Sequence, residues 1–132
     1  MADNKALVQS LYAAFGRGDV PFILGNLDAG AEWVSNGNPA AIPWGGARRG
    51  HAGALEFFQL LGGHLDFEVF EPRLFAAEGD LVFVQGRTVA KVKSTGRAFD
   101  SEWTHVFTFA GGKVTRFHEF YDTQAIIAAL PA

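Results

Sequence analysis

The apolar positions of this chain fall into two periodic regimes that meet at Leu65. Ahead of it, Leu7, Leu11 and Phe15, flanked by Val8 and Tyr12, recur at helical spacing, and Gly16 with Gly18 ends the run. Asp3 or Asn4 is placed to cap this helix. Asp19 can cap a short second helix, with Pro21 accommodated in its first turn. A brief strand is predicted over 31–35. A third helix is predicted over 52–61, with Leu55, Phe58 and Leu61 on one stripe and Gly62-Gly63 behind it.

Beyond Leu65 the period becomes two. Leu65, Phe67 and Val69 alternate with Asp66 and Glu68, and Pro72 then marks an edge strand or a bulge. Residues 81–93 form a long strand whose even face is small (Val84, Gly86, Thr88, Ala90) and whose odd face is polar (Gln85, Arg87, Lys91, Lys93). Phe99, Ser101, Trp103, His105, Phe107 and Phe109 occupy every second place of the next strand, and Phe117, Glu119 and Tyr121 do so in the last. Residues 123–130 close the chain as a helix capped by Asp122 or Thr123. The order predicts a single α+β domain over 1–132, with three N-terminal helices packed on an antiparallel sheet.

Two features point toward chemistry. His105 and Glu119 lie on neighbouring predicted strands joined by Ala110-Gly111-Gly112-Lys113, a hairpin sequence. With an odd number of loop residues, the two alternating sets share one face, and a carboxyl and an imidazole meet on an aromatic surface, the material of general acid–base catalysis. A two-residue turn would put them out of phase. The second feature is the long stretch 36–50, a length associated with lids or mobile segments. Its Ile42, Pro43 and Trp44 suggest that part of it covers something apolar.

Composition narrows the options. Thirteen Phe in 132 residues, within 14% aromatics, supply more ring surface than a domain of this size needs, as an aromatic-lined cavity would require. The net charge of −3 and the absence of any basic cluster beyond Arg48-Arg49 argue against nucleic acid. With no cysteine there is no disulfide framework and no thiol nucleophile. His51, His64 and His118 lack metal-ligand spacing, so no metal site is expected. The start, Met1-Ala2-Asp3-Asn4-Lys5, lacks a signal-peptide layout, and no apolar run approaches the ~20 residues of a membrane helix. A cytoplasmic protein with no membrane contact is the expectation.

Leu11-Tyr12-Ala13-Ala14-Phe15 followed by Gly18-Asp19, then Glu32-Trp33, Arg49-Gly50, Gly112-Lys113-Val114 and Phe120-Tyr121-Asp122, is an ordered set of local marks. Together they resemble the cone-shaped, cystatin-like fold shared by nuclear transport factor 2, ketosteroid isomerase and the SnoaL-type polyketide cyclases, over nearly the whole chain. The resemblance implies a curved sheet with the helices over its concave side and one pocket between them. SnoaL-type cyclases place an acid–base aspartate on the last strand, a histidine on the strand before and an asparagine after the first strand. Glu119, His105 and Asn36 look like those positions, with Glu one methylene longer than Asp. Against ketosteroid isomerase the match is poorer: the base position resembles Asn36, which cannot take a proton. The first-helix tyrosine position there resembles Leu11, with Tyr12 one step around. Limonene-epoxide hydrolases carry Arg and Asp on the long strand where this chain has Gly86 and Thr88, which disfavours epoxide hydrolysis.

The resemblance implies proton abstraction next to a carbonyl in a small hydrophobic molecule, of cyclase or isomerase type, without a cofactor. Glu119 is the expected base, His105 its partner, and Asn36 or Tyr121 the group stabilising the enolate. Trp103, Tyr121, Phe117, Phe107, Tyr12, Trp44 and Thr88 are the expected pocket wall. The alternative is a non-catalytic ligand-binding or dimerisation module in which His105 only satisfies Glu119 and Asn36 only forms an Asn-Gly turn. A homodimer is expected through an outer sheet face bearing Val106, Phe120 and Val114 among Thr104, Thr108 and Arg116.

Overall fold

A computed structural model describes residues 3–132; Met1 and Ala2, which the sequence reading includes in the domain and in its start, lie outside them. Helix α1 (Asn4–Gly16) begins where the Asp3 carboxylate accepts from the Ala6 N–H, and it buries Val8, Leu11 and Ala14. Helix α2 (Val20–Gly25) is capped by Asp19, which accepts from the Phe22 N–H, with Pro21 in the first turn. Strands β1 (Leu27–Ser35) and β2 (Gly46–Arg49) precede helix α3 (Gly50–His64). Strands β3 (Leu65–Glu78), β4 (Leu81–Val92), β5 (Ala98–Ala110) and β6 (Lys113–Tyr121) follow, and helix α4 (Thr123–Ala129), capped by Asp122, ends the chain.

The six strands make one curved, open sheet in the order β2-β1-β6-β5-β4-β3. It is mixed, not wholly antiparallel as expected, because β1 runs parallel to β6. Two strands far apart in sequence can lie side by side in the same direction, since the intervening chain returns between them. Nor is 36–50 all loop, as its length suggested: Gly46–Arg49 form β2, antiparallel to β1. Pro72 sits on β3, an edge strand, beside one of that strand's two irregularities, as its missing N–H demands.

The segment ahead of β2 is a fixed wall. Arg48, only 12% exposed in its side chain, donates to the carbonyls of Trp44 (2.9 Å), Gly45 (3.0 Å) and Pro43 (3.4 Å) and pairs with Glu56 at 2.8 Å. A Cβ on Gly45 would stand 2.3 Å from the Gly37 carbonyl oxygen, so the two ends of the segment touch backbone to backbone. Ile42 and Trp44 are buried beneath it. Arg48 is therefore a clamp on its own loop, while Arg49 stays on the surface.

The β5–β6 hairpin closes with two residues, Gly111 (φ +57°) and Gly112 (φ +77°), both left-handed as a type I′ turn requires. That loop alone would set the two strands out of phase. A bulge cancels the shift: Ala110 pairs with Lys113 and Phe109 with Val114, but Thr108 pairs with Arg116, leaving Thr115 as the extra residue. From there on Phe107 faces Phe117, His105 faces Glu119 and Trp103 faces Tyr121. The two-residue turn sets Val114 opposite inward-facing Phe109, where it is fully buried, so Val114 does not belong to the outer face. The core fills the space between the inner sheet face and the helices, with Trp33 of β1 stacked on Phe117 of β6 at 4.0 Å.

Candidate active site

Alternation along β4, β5 and β6 directs one set of side chains inward, and these meet α1, α3 and the 36–45 segment around a cavity of about 100 Å³. Tyr12, Trp44, Thr88, Trp103, His105, Phe107, Phe117, Glu119 and Tyr121 all line it. Asn36 does not. Its side chain is on the exposed side, and only its backbone N–H reaches β6, donating to the Glu119 carbonyl at 3.2 Å. Ser35, one residue earlier, takes the inward place. The alternation Ala31, Trp33, Ser35 carried that signal, because it sends residue 36 to the opposite face.

Ser35 donates to Glu119 Oε2 at 2.7 Å. The Ser35 hydroxyl also meets the Tyr121 hydroxyl at 2.6 Å, and the Gly37 N–H donates to that phenol oxygen at 3.2 Å. The directions follow from supply. Ser35 spends its one O–H on Glu119, so it accepts from the Tyr121 O–H, whose oxygen accepts in turn from the Gly37 N–H. On the other side, Tyr12 O–H lies 2.7 Å from His105 Nδ1, and His105 Nε2 lies 3.5 Å from Glu119 Oε1. Both phenols keep their protons. Burial first, and the Glu119 charge second, push Tyr12 well above the usual phenol range and Tyr121 up to about 12. Tyr12 thus donates to Nδ1, which leaves the imidazole proton on Nε2, facing Glu119.

Burial holds His105 below its ordinary value, and this outweighs the opposing attraction of Glu119. The site is then a neutral imidazole beside a carboxyl group that accepts from Ser35 on its other side. The two carboxylate oxygens are not equivalent. Oε2 is engaged by Ser35 at a formed hydrogen-bond length, whereas 3.5 Å from Nε2 to Oε1 is an electrostatic contact too long to be a good hydrogen bond. Oε1 is the carboxylate atom least held by the protein. Trp103 stacks on the imidazole at 4.0 Å and 15°, and its indole N–H donates to Thr88 Oγ1 at 2.7 Å. Trp33, which the sequence reading left out of the site, also lines the cavity, and its buried indole nitrogen has no partner among the described residues.

No three His, Asp or Glu side chains converge as metal ligands among the described residues. No helix among them is long and apolar enough to cross a membrane.

An α+β domain with an open, curved mixed sheet and helices packed on it is the architecture of the nuclear transport factor 2-like proteins. The chain belongs to the SnoaL-like domain family, which matches residues 8–117. Among solved structures it is similar to a nuclear transport factor 2-like protein from Burkholderia xenovorans LB400, 33% identical over 96% of this chain and 94% of that one, with a TM-score of 0.85. It is also similar to a nuclear transport factor 2-like protein of unknown function from Burkholderia pseudomallei K96243, 26% identical over 100% of each chain at a TM-score of 0.90. A third is TerC, crystallised with polyporic acid, 28% identical over 97% of this chain and 98% of that one at a TM-score of 0.82. None of the curated proteins matches the chain.

Proposed function

We propose that the cavity binds a small hydrophobic carbonyl compound and that Glu119 removes a proton from the carbon next to the carbonyl. The observation that carries this is the asymmetry of Glu119: Oε2 is fixed by Ser35, while Oε1 lacks a good hydrogen bond and borders an aromatic cavity. In the proposed step the C–H proton passes to Oε1 and the electron pair moves to the carbonyl oxygen. His105 Nε2–H, released from its long contact with Glu119, donates to the enolate oxygen. Returning the proton to a different carbon completes an isomerisation; attack of the enolate carbon on a second carbonyl of the same molecule, whose oxygen takes back the proton from Glu119, completes a cyclisation. Asn36, being outside the cavity, has no part in the step. The SnoaL-like family and the ring-bearing ligand of TerC support an aromatic or cyclic substrate.

A second reading is a ligand-binding module without chemistry. It is favoured by the protein neighbours that each carboxylate oxygen already has without any ligand, the Ser35 hydroxyl at 2.7 Å from Oε2 and His105 Nε2 at 3.5 Å from Oε1. Hydrogen–deuterium exchange at the α-carbon of 2-tetralone separates the two. Wild type should accelerate exchange and Glu119→Gln, which keeps the shape but not the basicity, should abolish it while binding the ketone nearly as well. Equal exchange rates in both proteins would leave the binding module standing. We further propose that the protein acts in the cytoplasm as a homodimer.

A further inference from the structure

We infer that Trp103 is a positioning residue that sets the plane of the His105 imidazole, and that Gly86 and Thr88 hold Trp103 in place for that task. Gly86 and Trp103 are direct partners across β4 and β5. A Cβ at Gly86 would stand 2.4 Å from Trp103 Cζ2 and 2.5 Å from Cη2, so the benzene edge of the indole rests against bare backbone where any other residue would displace it. Two residues along the same strand face, Thr88 takes the indole N–H at 2.7 Å. The ring is pinned at its benzene edge by the missing side chain and at its pyrrole edge by the hydroxyl. Phe70 of β3 closes its far side at 5.2 Å and 18°, and His105 lies against it at 4.0 Å and 15°.

Two groups then hold the His105 ring: the indole fixes its plane, and the Tyr12 hydroxyl at 2.7 Å fixes its rotation in that plane. Together they aim Nε2 at Glu119. The charged and titratable groups facing the ring are Glu119 from β6 and Tyr12 from α1; β4 presents only Val84, Gly86 and Thr88 on this side. The small even face of β4, which carries no side chain of acid–base chemistry, is thereby given a role: it seats the indole. The inference rests on the reading of His105 as the partner of Glu119, and it adds how that partner is oriented.

The test is the titration of the His105 ring nitrogens by ¹⁵N NMR in the full chain, with exchange of the Trp103 indole N–H read in the same samples. Thr88→Val keeps the volume and removes the acceptor. It should speed indole exchange and move the His105 midpoint upward by ~0.5 pH unit or more, because a loosened indole admits water to a ring now held neutral by burial. Thr88→Ser restores a hydroxyl and should return both readings to wild type, which a mere loss of packing would not do. Gly86→Ala should displace the indole more strongly; if it does not fold, the Thr88 pair still decides. A folded Thr88→Val protein with wild-type His105 titration and tautomer overturns the inference. A shifted His105 in a protein that never exchanges the ketone α-proton would leave the positioning role intact and remove the enzymatic reading instead.

Discussion

Ser35 and Glu119 face each other across the sheet's one parallel strand pair, and a 2.7 Å hydrogen bond joins their side chains. The first strand thus contributes to the site a hydroxyl that orients the carboxylate. Replacing Ser35 by Ala leaves Oε2 without its close donor and Tyr121 without an acceptor for its proton, in a place water reaches poorly. Leaving buried polar partners unmade costs ~1–3 kcal/mol. Urea denaturation should show Ser35→Ala destabilised by that amount, and a change below ~0.5 kcal/mol would refute the bond's role.

Stability should fall on the acid side because of His105. Its folded value lies below the ordinary one of about 6.5. Below that ordinary value the unfolded chain binds a proton that the folded chain refuses, so stability drops as pH falls toward the folded value and levels off beneath it. His118 is also lowered, chiefly by burial and then by Arg116, and contributes a slope of the same sign. Comparison of wild type with His105→Phe isolates the first contribution. Identical pH dependence in the two proteins would show that His105 is not buried as a neutral ring.

Much of this site was readable because β5 has two unlike faces. Phe99 to Phe109 alternate with Asp100, Glu102, Thr104 and Thr108, with Val106 the one apolar residue of that set, and such a strand is seated one way round. Helix starts were equally plain at Asp3, Asp19 and Asp122, whose carboxylates accept from the backbone three residues on. Non-local pairing was not readable. Nothing within residues 27–35 tells that their neighbour is β6, or that the two run parallel. The bulge at Thr115 was hidden too, since Val114-Thr115-Arg116 contains neither glycine nor proline to mark it. The clamp role of Arg48 was not readable because its partners are loop carbonyls that converge only after the loop has folded. Asn36 was chosen by resemblance over the alternation that pointed to Ser35, and the alternation was the better guide.

The hairpin makes a sharp prediction. Gly112 sits at φ +77° with open space around its α-carbon, so a side chain there meets strain but no clash. Gly112→Ala should cost ~1–2 kcal/mol through its left-handed backbone alone. Gly111→Asn, the residue a type I′ turn accepts best in that place, should be close to neutral. Deleting Thr115 should be far worse. Without the bulge every residue from Arg116 to Tyr121 changes face, sending Phe117 and Glu119 outward, and circular dichroism should find no cooperative unfolding transition. A well-folded deletion protein would show that the two-residue turn can reset the register by itself.

The outer sheet face supports the proposed second copy of the chain. Phe120 is 42% exposed and stacks on His118 at 4.1 Å; Phe83 is 36% exposed and pairs across β4–β5 with half-buried Val106, which in turn pairs with His118. These residues form a connected apolar strip over three central strands, bordered by Arg116 and by the Arg87–Asp100 ion pair at 2.7 Å. An apolar centre with a charged border is the anatomy of a self-complementary interface, and a two-fold axis would set strip on strip. Val114, turned inward by the two-residue turn, adds nothing to it. Sedimentation at micromolar concentration should give a species of twice 14.2 kDa, and the thermal midpoint should rise with protein concentration, as association with the folded state requires. Lysine at both Phe83 and Phe120 should yield a folded monomer, since neither ring belongs to the core. A wild-type protein that sediments as one 14.2 kDa species, with a midpoint independent of concentration, would rule out the dimer and return the strip to an ordinary solvent-facing surface.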